Sequence, residues 1–205
     1  MKTSVVVATY RRYESLERIL KAWLDQADEV FLADCGPGFI TKLPIIHVRF
    51  NRDIGNKTRH SVALLTNGDF VIKADDDLLP KPGLVDDFRQ HYKPGILGLI
   101  GRKFRGPSYY KDTEFFKSSK IERPIKVDFV GVCTYAPRSL MAFDLKGCDN
   151  AVEDLFWQVK QFRCVDKWVI PTKNYEDLPE CNDRGSLFHD PKARIVREKF
   201  YAENY

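Results

Sequence analysis

The sequence predicts an α/β domain built on a mostly parallel sheet flanked by helices. Two observations carry that expectation. Short unbroken apolar runs alternate with longer amphipathic ones, which is the pattern of strands joined by crossover helices. A run of three aspartates, Asp75-Asp76-Asp77, directly ends one of the apolar runs, and open α/β sheets hold their ligands at the carboxyl ends of strands. A chain of 205 residues suits one ordinary domain with a real core, whereas two domains of that total would each be small.

The elements follow in order. Ser4 to Ala8 reads as a buried first strand, and Leu16, Ile19, Leu20, Trp23 and Leu24 recur at helical spacing, giving a helix over about 13–25. Val30 to Ala33 is a second strand, closed by the loop Asp34-Cys35-Gly36-Pro37-Gly38, and Ile45 to Val48 a third. A second helix over 57–66 stops at Asn67-Gly68. Phe70 to Ala74 is the fourth strand and runs straight into the aspartates; a helix reaching His91 and a strand over 96–100 come next. Between Arg102 and Ile125 the apolar periodicity fails and the segment is basic and aromatic, so it reads as a long irregular excursion of the functional kind. Val127 to Val132 resumes as strand, and Glu153 to Phe162 is a helix.

With 43% apolar, 13% aromatic and 30% charged residues, the chain is globular rather than disordered or fibrous. A net charge of +4 is too small to point to nucleic acid. The five cysteines are scattered without a C-x-x-C pair, so a reducing compartment is the expectation. The apolar start meets Arg11 and Arg12 too soon for a secretory segment, and no stretch reaches the length of a bilayer crossing. The reading is a cytoplasmic protein, or one domain of a longer polypeptide.

The triple aspartate is the strongest chemical signal. In an extended segment residues i and i+2 point to the same side, so Asp75 and Asp77 face one ligand together. Crowded carboxylates repel, and a hard divalent cation, Mg²⁺ or Mn²⁺, compensates them while bridging to a diphosphate leaving group. The competing reading is an acidic turn that caps the next helix; the position at a strand end favours the ligand.

Taken with its neighbours, the chain resembles the GT-A glycosyltransferases, closest in pattern to the inverting family 2. The resemblance rests on Thr9-Tyr10-Arg11-Arg12 after the first strand, Asp34 at the end of the second, an Asn-x-Gly-like turn at 51–55, Thr58-Arg59-His60 at a helix start, Gly68 to Asp77 as the strand with its D-x-D motif, and the acidic pair Glu153-Asp154. It covers about the first 80 residues and, in outline, 127–162. The small size is also similar to that of glycosyltransferase domains of large algal viruses. Two features depart from the family: Arg11 stands where it has asparagine, and a Gln-x-x-Arg-Trp motif is absent, which argues against a polymerising synthase.

The resemblance implies a fold with a Rossmann-like nucleotide-sugar-binding half, 1–101, fused to an acceptor-binding and catalytic half, 102–205, in a single domain. It also implies a UDP-sugar donor, a glycan or glycoprotein-linked acceptor, and no nucleic-acid partner. Tyr10 then offers its ring to uracil, and Thr9 and Asp34 offer polar atoms to its edge. Arg11, Lys57, Arg59, Asp75 and Asp76 belong to nucleotide-sugar binding, while Asp77 and the late His189 would ligate the metal. Asp154 is the expected base, with Glu153 in reserve. Arg184, Lys192 and Arg194 are candidates to close over the diphosphate.

Two other classes compete with this reading. A nucleotidyltransferase would need a glycine-rich loop after the first strand, which Thr9 to Arg12 lacks. A non-catalytic sugar-nucleotide or nucleic-acid binding module would use the basic aromatic stretch from Arg102 to Lys117, which equally suits a wall for a glycan acceptor.

Overall fold

The structure is a computed structural model that describes residues 1–149, 151–178 and 190–205. Its elements are β1 (Thr3–Thr9), α1 (Leu16–Leu24), β2 (Glu29–Asp34), β3 (Ile46–Arg49), α2 (Lys57–Ala63), β4 (Phe70–Asp75), β5 (Leu78–Pro80), α3 (Leu84–Gln90), β6 (Ile96–Gly98), β7 (Ile100–Phe104), β8 (Thr113–Lys117), β9 (Ile125–Val127), β10 (Phe129–Gly131), β11 (Thr134–Pro137), α4 (Glu153–Leu155), β12 (Lys167–Val169), β13 (Tyr175–Asp177) and α5 (Pro191–Asn204). The main sheet has the order β3-β2-β1-β4-β11-β6-β12-β9. It is parallel from β3 to β4 and between β6 and β12, while β11 runs antiparallel to both its neighbours.

Both faces of this sheet are covered, which is why its strands read as unbroken apolar runs. On one face Val5, Val7, Leu32 and Ile72 pack with Leu16, Ile19 and Trp23 of α1 and with Phe88 of α3. On the other, Val6, Phe31, Ala33 and Val71 pack with Val62 and Ala63 of α2 and with Trp157. Because β2, β1 and β4 are parallel, their carboxyl ends lie together. Thr9 pairs with Asp34 and Ala8 with Asp75 in the register.

Two expectations need correction. The segment read as irregular holds the antiparallel pair β7 and β8, extended by β10 into a second sheet. Its alternation is hidden because Phe115 is exposed and Arg102 stacks between rings rather than entering solvent. The expected helix 153–162 is one short α turn that widens into a π-helical stretch over Phe156–Gln161. There Gln158, fully buried, accepts from the Val130 backbone N–H (2.9 Å) and donates to its carbonyl (2.6 Å), tying the helix to β10. Among the described residues no helix is long and apolar enough to cross a membrane.

Candidate active site

A cavity of about 550 Å³ opens over the carboxyl ends of β1 and β4 and is closed on its other side by β7, β8 and α5. Its lining includes Thr9, Tyr10, Asp75, Asp76, Asp77, Arg59 and Asp154, seven of the residues expected from the sequence. The tertiary structure therefore brings the aspartate run and the acidic pair into one space.

Asp76 is the inward member of the run, 6% exposed. It accepts from the Thr9 hydroxyl (2.8 Å) and from Arg12 (2.9 Å). The same Arg12 nitrogen donates to Asp77 (2.9 Å). Asp75 pairs instead with Arg59. Burial first, then the charges of Asp75 and Asp76, push the Asp77 carboxyl up to about 7 although Arg12 opposes the shift.

Arg59 is the hub of the site. It is 4% exposed, and its guanidinium joins Asp75 to Glu153 (2.7 Å) and to Asp154 (2.6 Å). Behind Asp154 stands Lys73, fully buried in β4, with its ammonium 3.5 Å from the carboxylate, 3.0 Å from His60 Nε2 and 3.2 Å from the centre of the Trp157 ring. Burial lowers Lys73 to about 7 and His60 to about 3, so His60 is neutral. Burial by itself would raise Asp154, but Arg59, Lys73 and His60 outweigh it and hold this carboxyl well below its usual range. Glu153, entirely enclosed and beside Asp154, is pushed up to about 7.

Several assigned residues sit elsewhere. Asp34 is fully buried with both oxygens engaged: it accepts from the Tyr13 hydroxyl (2.9 Å), the backbone N–H groups of Gly36 and Phe39 (both 2.8 Å), and faces His47 (3.3 Å). It shapes the loop after β2 and presents no atom to the cavity. Gly36 is required there, since a Cβ would fall 2.2 Å from the Tyr13 hydroxyl. Lys57 lies in the first turn of α2, off the cavity wall. Arg11 takes a left-handed φ of 65° and turns outward over the Tyr10 ring (4.9 Å); it is Arg12 that reaches the aspartates. Lys192 and Arg194 are exposed on α5, Arg194 stacking on Tyr110 at 4.7 Å. His189 and Arg184 lie outside the described residues.

Lys73, Trp157 and Arg197 were not among the candidates, Arg12 and His60 stood in the motifs without a role of their own, and Tyr109 belonged to the basic aromatic stretch read as a wall for a glycan acceptor. Lys73 carried a signal, a lysine inside the apolar run Val71-Ile72-Lys73-Ala74; buried lysines occur almost only with partners. Val132, which lines the cavity, has φ 49° and Cys133 has φ 54°. Such left-handed backbone is rare for a β-branched residue and gathers at functional sites.

A divalent cation fits these donors. Among the described residues, the five carboxylates Asp75, Asp76, Asp77, Glu153 and Asp154 form ion pairs with the cations Arg12, Arg59 and Lys73. Burial first, and the neighbouring charges of Asp75 and Asp76 second, raise the Asp77 carboxyl. The half-exposed oxygens of Asp75 and Asp77 are hard ligands of the Mg²⁺ or Mn²⁺ class. His60, Glu153 and Asp154 also place donor atoms within 4.8 Å of one another, but Arg59 and Lys73 already neutralise that cluster.

The fold is shared with S. aureus TarS. TarS residues 1–349 in complex with UDP-GlcNAc match 98% of this chain and 66% of that one, at 17% identity and a TM-score of 0.59. The same protein in complex with UDP matches 85% and 59%, at 19% identity and a TM-score of 0.57, and without a stated ligand 85% and 59%, at 19% and 0.56. The chain thus spans about three fifths of that TarS fragment. No protein-family model and no curated protein matches the chain. At such identity the likeness concerns the fold alone, and the mostly parallel α/β sheet agrees with the α/β class expected from the sequence.

Proposed function

We propose that the protein is a metal-dependent GT-A glycosyltransferase of the family 2 kind, which transfers a hexose or deoxyhexose from a UDP-sugar to a hydroxyl of a glycan or glycoprotein-linked acceptor with inversion. The observation that carries this reading is that one guanidinium, Arg59, spans Asp75 of the aspartate run and Asp154 of the acidic pair inside a single cavity. The shared fold with TarS, which has been crystallised with UDP and UDP-GlcNAc, supports a donor of the same class.

In this reading Tyr10, 38% exposed at the cavity, offers its ring to the uracil face. Asp77 and Asp75, with His189 as a further donor, would hold Mn²⁺ or Mg²⁺, which when bound neutralises charge developing on the leaving diphosphate. Arg59, which lines the cavity, would bind the anionic diphosphate side of the donor. Asp154 accepts the proton of the attacking hydroxyl, and Arg59 and Lys73 fix its two oxygens for that task. The segment 1–101 supplies the donor side and 102–205 the acceptor side and base.

UDP is expected to stabilise the protein only with Mn²⁺ or Mg²⁺ present, by about 2.7 kcal/mol at a hundredfold excess over Kd, read as a rise in Tm. Asp77→Ala should remove that dependence, and equal stabilisation by UDP in excess chelator would argue against the metal site. Because Asp77 must lose its proton to bind metal and its carboxyl sits at about 7, metal affinity should fall as pH drops from 8 towards 6, read by Mn²⁺ titration. Inversion is checked by NMR of the product: an axial donor linkage giving an axial product would point to a retaining enzyme.

A further inference from the structure

The far side of the cavity is a wall of stacked groups. The Arg102 guanidinium lies 4.9 Å from the Tyr109 ring centre and 5.4 Å from that of Phe115, and all three line the cavity. Phe115 is 51% exposed. Tyr109 is buried, and the wall lines the same cavity as the candidate base Asp154.

Tyr109 sits in the connection between β7 and β8, where its ring meets Arg102 and Phe104 of β7 and Asp112 closes the loop on the Ser108 N–H (3.0 Å). Its backbone is held from α5. The Glu198 carboxylate accepts from the Ser108 hydroxyl (2.8 Å) and from the backbone N–H groups of Tyr109 (2.8 Å) and Tyr110 (3.2 Å). One turn on, the Tyr201 hydroxyl donates to the Gly106 carbonyl (2.8 Å), and its ring closes against Phe104 at 4.6 Å. Glu198 itself does not line the cavity; it acts through the loop it holds.

We propose that Glu198 is the positioning residue of an acceptor platform formed by Tyr109, Arg102 and Phe115, and that this platform takes a pyranose ring of the acceptor glycan. A pyranose has one face of C–H groups and a rim of hydroxyls. Phe115 matches the face, while Arg102 offers donors to the rim. The platform and Asp154 line one cavity, so a ring held on the platform shares the space of the base, and small displacements of such a surface are costly in productive geometry. The inference rests on the glycosyltransferase reading for the identity of the occupant.

The test is saturation-transfer NMR with methyl β-glucopyranoside and methyl β-galactopyranoside, run both without nucleotide and with UDP and diamagnetic Mg²⁺, with UDP affinity measured separately by calorimetry. Glu198→Ala should weaken glycoside binding by about tenfold and leave UDP affinity within about twofold of native. Glu198→Gln, which keeps one accepting oxygen, should fall between the two. Phe115→Ala, at an exposed position that leaves the core intact, should lose transfer to the pyranose protons without changing UDP binding. Native-like glycoside binding by Glu198→Ala, a parallel loss of UDP affinity, or no transfer from the native protein to either glycoside would overturn the proposal. Failure of UDP to bind the native protein would instead overturn the donor reading, since the glycoside arm does not depend on it.

Discussion

Asp154→Asn is expected to lower transfer by about 10²–10⁴-fold, the usual worth of a positioned general base, while donor affinity stays near native. The substitution preserves volume, and the amide oxygen can still accept from Arg59, which approaches at 2.6 Å. What is lost is the ability to take a proton. Arg59 keeps Asp75 and Glu153 as partners, so the hub is not dismantled. The check is a single-turnover rate beside a UDP titration in Mn²⁺. A fully active variant would remove Asp154 from the chemistry and return attention to Glu153. The same ion pairs have a consequence for pH. Asp154 is depressed below its unfolded value, so its contribution to stability is complete above pH 4 or so and is lost only as pH falls through its lower folded pKa. The acid limb of activity should accordingly reflect Asp77 and Glu153, both near 7, rather than loss of the base.

Arg59→Ala should be the most destabilising single change in the site. Its guanidinium is the shared partner of Asp75, Glu153 and Asp154, and removing one partner of a buried ion pair costs about 3–5 kcal/mol because the remaining charge is stranded. For a chain of this length that corresponds to a fall in Tm of roughly 10–15 °C. The sign of the pH dependence separates this cause from simple loss of packing. Without Arg59 the three carboxyls have folded pKa values above their unfolded ones, so they bind protons more readily in the folded state and stability declines as pH rises through that interval. Denaturation measured at pH 5 and pH 8 should show a smaller deficit at pH 5. An equal deficit at both would mean that Arg59 acts by filling space. Arg59→Lys should recover only part of the loss, since a point charge on a flexible stem cannot serve three carboxylates in the geometry of the planar fork.

Much of the scaffold was legible because it is governed by local rules. The apolar runs at 4–8, 30–33 and 70–74 are strands, and their shortness, β-branched content and flanking turn residues mark them as such. The hairpin of β7 and β8 was not legible, since Phe115 faces outward and Arg102 is held between rings, which inverts the usual alternation. Within the site, the choice between Arg11 and Arg12 turned on one backbone angle, the φ of 65° at Arg11 that throws its side chain outward. Asp34 stood at the expected strand end, but the Tyr13 hydroxyl and two backbone N–H groups claimed its oxygens first.

By itself the sequence determined the parallel strands, the aspartate run at the end of β4 and the acidic pair at the start of α4, because each depends on residues close together in the chain. Only the tertiary structure decided what those carboxylates meet. Arg12 reaches Asp76 and Asp77 across 64 and 65 residues, Arg59 reaches Glu153 and Asp154 across 94 and 95, and Glu198 reaches the Tyr109 loop across 89. No periodicity encodes such pairings. They arise when burial strips water from a charge and leaves a distant side chain of opposite sign, or a cluster of N–H donors, as the compensation available.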